Sequence, residues 1–291
     1  MTKAKSSSEQ RNEIRLNIHR NEIGGRWMVD GPGNGRPLSI PEARNATRTR
    51  LGLGVCEKDE LCQRGSAEEG CCGYSLDKWG DHCMSCRQGG MRCRRHGSVC
   101  ALVRSWGVAA GYACEREVLI PQWRRWVAAT KRKEGHWQQA VLDVVMEAHG
   151  DLPSRTIDVT IRHEMAESRR AEQLANPEFA LLQAQKEKLE RYQGGGGAGV
   201  KLTTFAVGTS GQIGPEALAL MQKLATAAAQ ERRSWGLPHK PWIAQWQSAL
   251  SRALAIGSCH AVTTSRRRVM QGAEEAVPPA GKKPVAGARR W

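Results

Sequence analysis

The sequence lacks any long apolar run, and this absence bounds the class of protein. Its start, MTKAKSSSEQRNEIR, contains no apolar stretch of the kind that forms the core of a secretory signal peptide. No later segment approaches the roughly 20 apolar residues that a helix needs to cross a bilayer. We therefore expect neither export nor membrane insertion, and we expect an intracellular protein in a reducing compartment.

Several common catalytic signatures are also missing. The run His163-Glu164-x2-Glu167 ends in Glu, so it lacks the second histidine of the HExxH zinc helix. The glycines between Gly194 and Gly199 are not followed by the Gly-Lys-Ser/Thr that a phosphate-binding P-loop needs, so we predict a flexible turn there. We find no Ser-His-Asp or Cys-His arrangement that predicts nucleophilic catalysis, and no small-molecule cofactor is indicated.

Cysteine is the most informative residue that is present. Nine of the 10 cysteines fall before residue 115, and at their centre lies Cys72-x9-His82-x3-Cys86 in a loop rich in Gly and Asp. In a reducing compartment such cysteines are not expected to form a disulfide framework, so their clustering with histidine favours zinc. A mixture of thiolates and imidazole suits tetrahedral Zn²⁺. We therefore predict a structural Zn²⁺ held by Cys72, His82 and Cys86.

The fourth zinc ligand is not fixed by the spacing. Two adjacent cysteines rarely ligate one zinc with ease, which counts against Cys71 beside Cys72, so our choice is Cys62. The other candidates are Cys56, Cys93 and His96. The remaining cysteines include Cys100, Cys114 and Cys259, which fit better as scattered buried thiols.

Positive charge is in excess, with 44 Lys and Arg against 29 Asp and Glu and a formal net charge of +15. Such a bias raises the local concentration of polyanions, and nucleic acid is the leading partner. Four arginines surround the last zinc ligand, where a rigid loop would display them to phosphates. They are Arg87, Arg92, Arg94 and Arg95. Much of the charge also lies at the ends of the chain, where solvated tails are the alternative.

The chain divides into five predicted regions. Residues 1–45 are polar and show no sustained period, which predicts an arm or linker. Residues 46–95 are loop-rich, so metal ligation would substitute for a hydrophobic core in a small zinc module. Residues 96–235 form the predicted folded core, followed by a C-terminal helix at 236–257 and a basic disordered tail at 258–291.

Hydrophobic periodicity predicts the elements of that core. Apolar residues at helical spacing between His96 and Tyr112 predict a buried helix. Three β-favouring runs follow, and then a helix interrupted at Asn176-Pro177, a fourth strand and a helix that opens at Gly214-Pro215. The four strands are predicted at 115–120, 140–147, 156–161 and 200–207. The order helix, three strands, helix, strand, helix predicts an α+β fold with a mostly meandering sheet.

Two carboxylates stand out on the predicted strands. Asp143 interrupts an otherwise apolar strand, and Asp158 shares one face of the next strand with Thr160. A hairpin between these strands could bring Asp143 and Asp158 together as a hard, oxygen-rich site for Mg²⁺ or Mn²⁺. Glu117 on the first strand could join them. The alternative is that these acids are exposed residues near strand ends.

This order of elements and acids resembles the PD-(D/E)xK superfamily of restriction-like nucleases. The run Arg48-x-Arg50-Leu-Gly-Leu-Gly, the Cys72…His82…Cys86 motif and Arg95-His96 are similar to the C-terminal region of non-LTR retrotransposon polyproteins, which are reverse transcriptases. There, a cysteine-histidine knuckle precedes a restriction-like endonuclease. The resemblance covers roughly residues 45 to 255. It continues through Glu117, Leu142-Asp143-Val144, Ile157-Asp158-Val159-Thr160 and Lys188-x3-Tyr192.

The resemblance implies a DNA-binding endonuclease that nicks DNA by metal-dependent phosphodiester hydrolysis. Asp143 and Asp158 would bind catalytic Mg²⁺ or Mn²⁺, and Glu117 would be an accessory acid. The family's lysine is expected two residues after Asp158, where this chain has Thr160. Lys186 or Lys188 on the following helix could reach the site as a relocated lysine, and our choice is Lys188. The alternative is that both lie on an ordinary exposed helix face. A DNA substrate, with RNA as the alternative, would imply nuclear residence.

Two other hypotheses compete with the nuclease hypothesis. In the first, the chain is a catalytically inactive, zinc-containing nucleic-acid-binding relic of the same family, and Thr160 records the loss of cleavage. In the second, it is a structural or protein-interaction domain whose cysteines are merely buried thiols. Salt-sensitive binding to DNA separates the second from the others.

Overall fold

The computed structural model describes residues 6–19, 25–29, 37–57, 60–66, 70–127, 134–147, 153–192, 202–238 and 241–266. Within these ranges the chain is an α+β protein. Its helices are α1 (Ser7–His19), α2 (Arg26–Val29), α3 (Ile40–Arg50), α4 (Asp81–Ser85), α5 (Met91–Ala109), α6 (Arg170–Ala175), α7 (Phe179–Tyr192), α8 (Pro215–Ser234) and α9 (Trp242–Arg266). In the part of the chain described, no helix has the length and apolar character needed to cross a membrane.

A four-stranded mixed sheet forms the centre of the fold. A two-stranded ribbon of β1 (Gly65–Ser66) and β2 (Gly70–Cys71) precedes this sheet in the chain. The four strands of the central sheet lie side by side in chain order as β3 (Ala113–Val127), β4 (His136–Glu147), β5 (Arg155–Arg162) and β6 (Leu202–Gly208). The first three strands are antiparallel, whereas β5 and β6 are parallel. The predicted order of elements is therefore confirmed, although each strand is longer or shifted by a few residues.

The ladder between β4 and β5 is short, and this creates a fork in the sheet. It runs only from Met146 opposite Arg155 to Val144 opposite Ile157. The other edge of β5 stays paired with β6 as far as Arg162. Beyond Ile157, one edge of β5 is therefore released from its ladder with β4, and Asp143 and Asp158 lie where the two strands part.

Helices cover both faces of the sheet. On one face α5, α8 and α9 enclose the main core, in which Trp106 stacks on Trp246 with ring centroids 5.3 Å apart. On the other face α7 packs Leu181 and Ala184 against Ala206 of β6. Alternate residues of a strand point to opposite faces, so β6 serves both layers and is buried along its whole length.

The prediction that residues 1–45 form an arm is wrong for the helices in that region. Ile14 and Ile18 of α1 are buried, and Ser7 accepts a hydrogen bond from Arg170 of α6 at 2.6 Å. At the start of α3, Glu42 accepts the Ser39 N–H at 2.8 Å, a capping contact. Two apolar residues one turn apart are too weak a periodic signal to predict a docked helix. Residues 1–5, 20–24 and 30–36 lie outside the described ranges.

The predicted disordered tail also begins too early. Residues 258–266 form the last turns of α9, where Ala261 and Val262 are buried against the cysteine loop. Arg266 donates to Glu60 at 2.9 Å, and Arg64 donates to the carbonyl of Ala261. Tertiary contacts, rather than a strong apolar period, extend this helix past the predicted end. Residues 267–291 and the predicted turn at 194–199 lie outside the described residues.

Candidate active site and metal centre

The four predicted zinc ligands converge on one point. The ligand atoms of Cys62, Cys72, His82 and Cys86 all lie within 4.8 Å of one another. Cys62 Sγ is 3.9 Å from Cys86 Sγ, and Cys72 Sγ is 3.4 Å from His82 Nε2. With Zn–S near 2.3 Å and Zn–N near 2.0 Å, tetrahedral geometry gives edges of about 3.8 and about 3.5 Å. This Cys₃His cluster can therefore hold zinc.

The loop that carries His82 is fixed by its own hydrogen bonds. Asp77 accepts the backbone N–H groups of Trp79 at 3.0 Å, Asp81 at 3.0 Å and His82 at 2.8 Å. The last two are donors in the first turn of α4 that the helix itself leaves free. Tyr74 stacks on the imidazole of His82 with ring centroids 5.4 Å apart. These contacts set the orientation of the histidine within the folded loop.

The choice of Cys62 as the fourth residue agrees with this geometry. The hydrogen bond between the two thiols lowers the pKa of Cys62 and raises that of Cys86, so it favours a thiolate at one of the two sulfurs and a thiol at the other. The convergence of the four ligand atoms is what supports Cys62 as a ligand. The other candidates lie elsewhere: Cys71 and Cys93 are exposed, Cys56 contacts Cys83 at 3.8 Å and His96 lies beside Asp143.

The two predicted catalytic aspartates meet at the fork between β4 and β5. Asp143 Oδ2 accepts the backbone N–H of Val159 at 2.7 Å, a bond that takes the place of the interrupted ladder. Asp158 is 2% exposed. Burial raises the pKa of Asp158, and the adjacent Asp143 adds to this effect against the opposing charge of Lys188. The site therefore holds a buried carboxyl group whose negative charge is incompletely balanced.

Lys188 reaches this site from α7. Its Nζ lies 2.7 and 2.8 Å from the two oxygens of Asp158. Tyr192, one turn further along, has its pKa raised by burial and by the charge of Asp158. Lys186 instead is 69% exposed at its side chain and lies 3.8 Å from Glu190. Of the two lysines considered, only Lys188 is directed at the aspartates.

Thr160 and Glu117 contribute less to the site. Thr160 is buried on the same face of β5 as Asp158 and lies opposite Ala206 of β6, so no cation stands at the family's lysine position. Glu117 is an exposed residue of β3 with the unusual φ of 56°. Among the described residues it makes no hydrogen bond or ion pair with either aspartate. The structure thus does not join this predicted accessory acid to the pair.

His96 also lies at the fork, although the role predicted for it from the sequence was that of a candidate zinc ligand. Its Nε2 lies 3.2 Å from Asp143 Oδ2 and 3.0 Å from the carbonyl oxygen of Val159. Burial is the largest single influence and would lower the pKa of His96, but the hydrogen bonds with Asp143 and Cys100 and the charges of these two groups together outweigh it and raise the pKa to about 11. In the sequence, the spacing of His96 and Cys100, which lie one turn apart on α5, was the signal that could have drawn attention to His96.

A second polar network ties the zinc loop to the acidic strand. Asp81, beside the ligand His82, accepts a hydrogen bond from Arg11 of α1 at 2.7 Å. Its other contact is His163 Nε2 at 3.0 Å, and His163 directly follows β5. Burial would raise the pKa of Asp81, but Arg11 and His163 outweigh it and hold the pKa at about 2. No local sequence pattern predicted this network.

The predicted phosphate-facing arginines separate into two groups. Arg87, Arg92 and Arg94 are exposed. The pKa of Arg92 is lowered, first by partial burial of its guanidinium group and then by the charges of Arg87 and of Arg162 at the end of β5. Arg95 is only 5% exposed and donates to the carbonyl of Met84 at 3.0 Å, so the prediction that it faces phosphates is wrong. The methylene groups of Arg95 pack inside the protein because Arg95 lies on the buried face of α5, about one turn after the start of that helix.

Comparison with known proteins does not identify the chain. No protein-family model matches it. No curated protein resembles it at a significant level. The case for function therefore rests on two features of the molecule, the Cys₃His cluster and the paired aspartates with Lys188 at the fork.

Proposed function

We propose that this protein is a DNA-binding endonuclease module that nicks DNA by divalent-metal-dependent phosphodiester hydrolysis. The observation that carries the proposal is the meeting of Asp143, Asp158 and Lys188 at the fork of the sheet. Two carboxylates and one ammonium group are the chemistry that the resemblance to restriction-like nucleases implies. The same resemblance supports an origin in a non-LTR retrotransposon.

The aspartates fit a hard divalent cation. They offer oxygen ligands, and the raised pKa of Asp158 indicates a carboxylate that nearby positive charge would favour in its ionised form. Mg²⁺ or Mn²⁺ held between them would polarise a phosphate oxygen and make bound water a stronger nucleophile. Lys188 takes the part of the family's lysine, with its ammonium group placed to stabilise charge on the phosphate or to orient the attacking water.

The cysteine cluster supplies structure and a binding surface. Zn²⁺ held by Cys62, Cys72, His82 and Cys86 would stabilise a loop that has little apolar core of its own. Arg87 and Arg92 project from the segment that follows the last ligand, where they can contact the sugar-phosphate backbone. Nuclear residence follows if the substrate is chromosomal DNA.

The test is nicking of supercoiled plasmid DNA by zinc-loaded wild-type protein and by the Asp158→Ala variant. We expect nicking that requires Mg²⁺ or Mn²⁺ and is lost in the variant, because one of the two metal-binding carboxylates is removed. Circular dichroism and zinc content serve as controls for folding. Equal nicking by both proteins would trace the activity to a contaminant and would contradict the proposal.

One observation favours a second candidate, the catalytically inactive nucleic-acid-binding relic. Lys188 occupies both oxygens of Asp158, and His96 pairs with Asp143, so two cations already face the two carboxylates. These two partners offset part of the negative charge and so reduce the need for a metal. Folded, zinc-loaded protein that binds DNA in a salt-sensitive manner but never nicks it would support this candidate.

A further inference from the structure

The orientation of Asp143 depends on two donors that converge on one of its oxygens. The Val159 N–H lies 2.7 Å from Oδ2, and His96 Nε2 lies 3.2 Å from the same atom. Both donors act on Oδ2, and the Asp143 carboxyl group is also in contact with Asp158, its partner in the proposed metal site. The backbone donor alone permits the carboxyl group to rotate about its bond to Cβ, so the second donor fixes the plane.

His96 is itself held on both sides of its ring. Its Nε2 also lies 3.0 Å from the carbonyl oxygen of Val159, so one nitrogen spans the backbone of β5 and the carboxylate of β4. Its Nδ1 lies 3.5 Å from the sulfur of Cys100, which is one turn further along α5 and 1% exposed. A hydrogen bond between Nδ1 and Sγ can form whether the imidazole is neutral or charged, because thiols donate and accept weakly.

We propose that His96 is a positioning residue for the metal-binding carboxylate of Asp143, and that Cys100 positions His96. The inference rests on the proposed function, since it assigns Asp143 a metal. Removing a group that hydrogen-bonds and orients a metal ligand typically weakens metal affinity by about 10- to 100-fold. His96 suits this role because its side chain is 36% exposed and lies at the start of α5, away from the buried centre of the helix at Val103 and Trp106.

The same atoms permit a competing arrangement. The ligand atoms of His96, Cys100 and Asp143 lie within 4.8 Å of one another, so they could bind a transition metal directly. Thiolate and imidazole favour ions such as Zn²⁺ or Co²⁺ over Mg²⁺. In the positioning arrangement, by contrast, the single Nε2–H is shared between the Val159 carbonyl and Asp143 Oδ2, and the cation is bound by oxygen. The two arrangements respond differently to cobalt.

The experiment is Mn²⁺ titration of zinc-loaded protein by calorimetry, alongside nicking of supercoiled DNA as a function of Mn²⁺ concentration. For His96→Ala we expect Mn²⁺ affinity about 10- to 100-fold weaker, with DNA affinity unchanged. His96→Gln should recover part of the loss, because its amide retains an N–H donor. Cys100→Ala should show a smaller loss. The matched control is His260→Ala. His260 lies on α9 and pairs with Glu42 of α3, so this change also removes a histidine paired with a carboxylate, but not at the fork.

Three results would overturn the inference. Unchanged Mn²⁺ affinity in folded His96→Ala would show that Asp143 needs no second donor. A cobalt-thiolate absorption band in the wild type that disappears in Cys100→Ala, with the Cys₃His cluster filled by zinc, would make Cys100 and His96 ligands instead. Wild-type protein that neither binds Mn²⁺ nor nicks DNA would overturn the proposed function itself. If His96→Ala fails to fold, the comparison of His96→Gln with Cys100→Ala decides in its place.

Discussion

The cysteine cluster and the acidic fork are assembled in different ways. All four ligands of the cluster come from residues 62–86, and a short loop with a capping aspartate brings them together. The fork combines side chains from α5, β4, β5 and α7, which are distant in sequence. The ligands of the cluster are soft and converge on one point, whereas the fork offers carboxylate oxygens. One arrangement suits a structural metal and the other a reactive one.

The largest effect should come from removing the metal of the cluster. Cys86→Ser, or a strong chelator, should unfold the cysteine loop and loosen the end of α9, because structural Zn²⁺ contributes about 10–16 kcal/mol of binding energy in small zinc modules. Thermal unfolding and zinc content measure this. Cys93→Ser is the matched control, since Cys93 is exposed. One tightly bound zinc per chain in Cys86→Ser would contradict the assignment of the ligand.

At the fork, Lys188→Ala should lower the nicking rate by about 10²- to 10³-fold, as expected for loss of a general base or a charge that stabilises the transition state. Lys186→Ala, on the exposed side of the same helix, should leave the rate unchanged. The double change Lys188→Ala with Thr160→Lys should restore part of the rate by returning the lysine to β5. Equal rates for the two single variants would remove Lys188 from the reaction.

Asp81→Asn tests whether the two regions are independent. The change weakens the contacts with Arg11 and His163 and should cost about 1–3 kcal/mol of unfolding free energy. Hydrogen exchange should then rise both in α4 and at the end of β5. Glu57→Gln, in an exposed ion pair with Arg266, should cost much less. Faster exchange confined to α4 would mean that the zinc loop and the sheet are uncoupled.

The smallest effect should come from the exposed arginines that follow the last zinc ligand, Cys86. Arg92→Ala should weaken DNA binding similarly for all sequences and reduce the slope of affinity against salt concentration by about one. Fluorescence anisotropy at several salt concentrations measures the slope. Arg233→Ala, an exposed change at the end of α8, is the control. A salt slope that Arg92→Ala leaves unchanged would place the DNA elsewhere on the surface.

The contrast between the regions also explains what the sequence could predict. Spacing indicated Cys72, His82 and Cys86, because local chain geometry decides which nearby residues can meet, but it left the fourth ligand open. Strand alternation placed Asp143 and Asp158 on the strands, and the resemblance to restriction-like nucleases selected them as a pair. The sequence could not reveal the role of His96 or the link from Asp81 to His163, since long-range packing of helices on the sheet creates those contacts. The buried end of α9 was missed for the same reason, because Ala261 and Val262 are held by the cysteine loop.

The most direct test of the account is an inventory of bound metal in three proteins: wild type, Asp158→Ala and Cys86→Ser. The account predicts that the wild type holds one zinc and also binds Mn²⁺ in competition with Mg²⁺. Asp158→Ala should keep its zinc and lose Mn²⁺ binding, whereas Cys86→Ser should lose zinc. Mn²⁺ binding to Asp158→Ala that matches the wild type, or a wild type that binds no Mn²⁺, would contradict a hard-metal site at the fork.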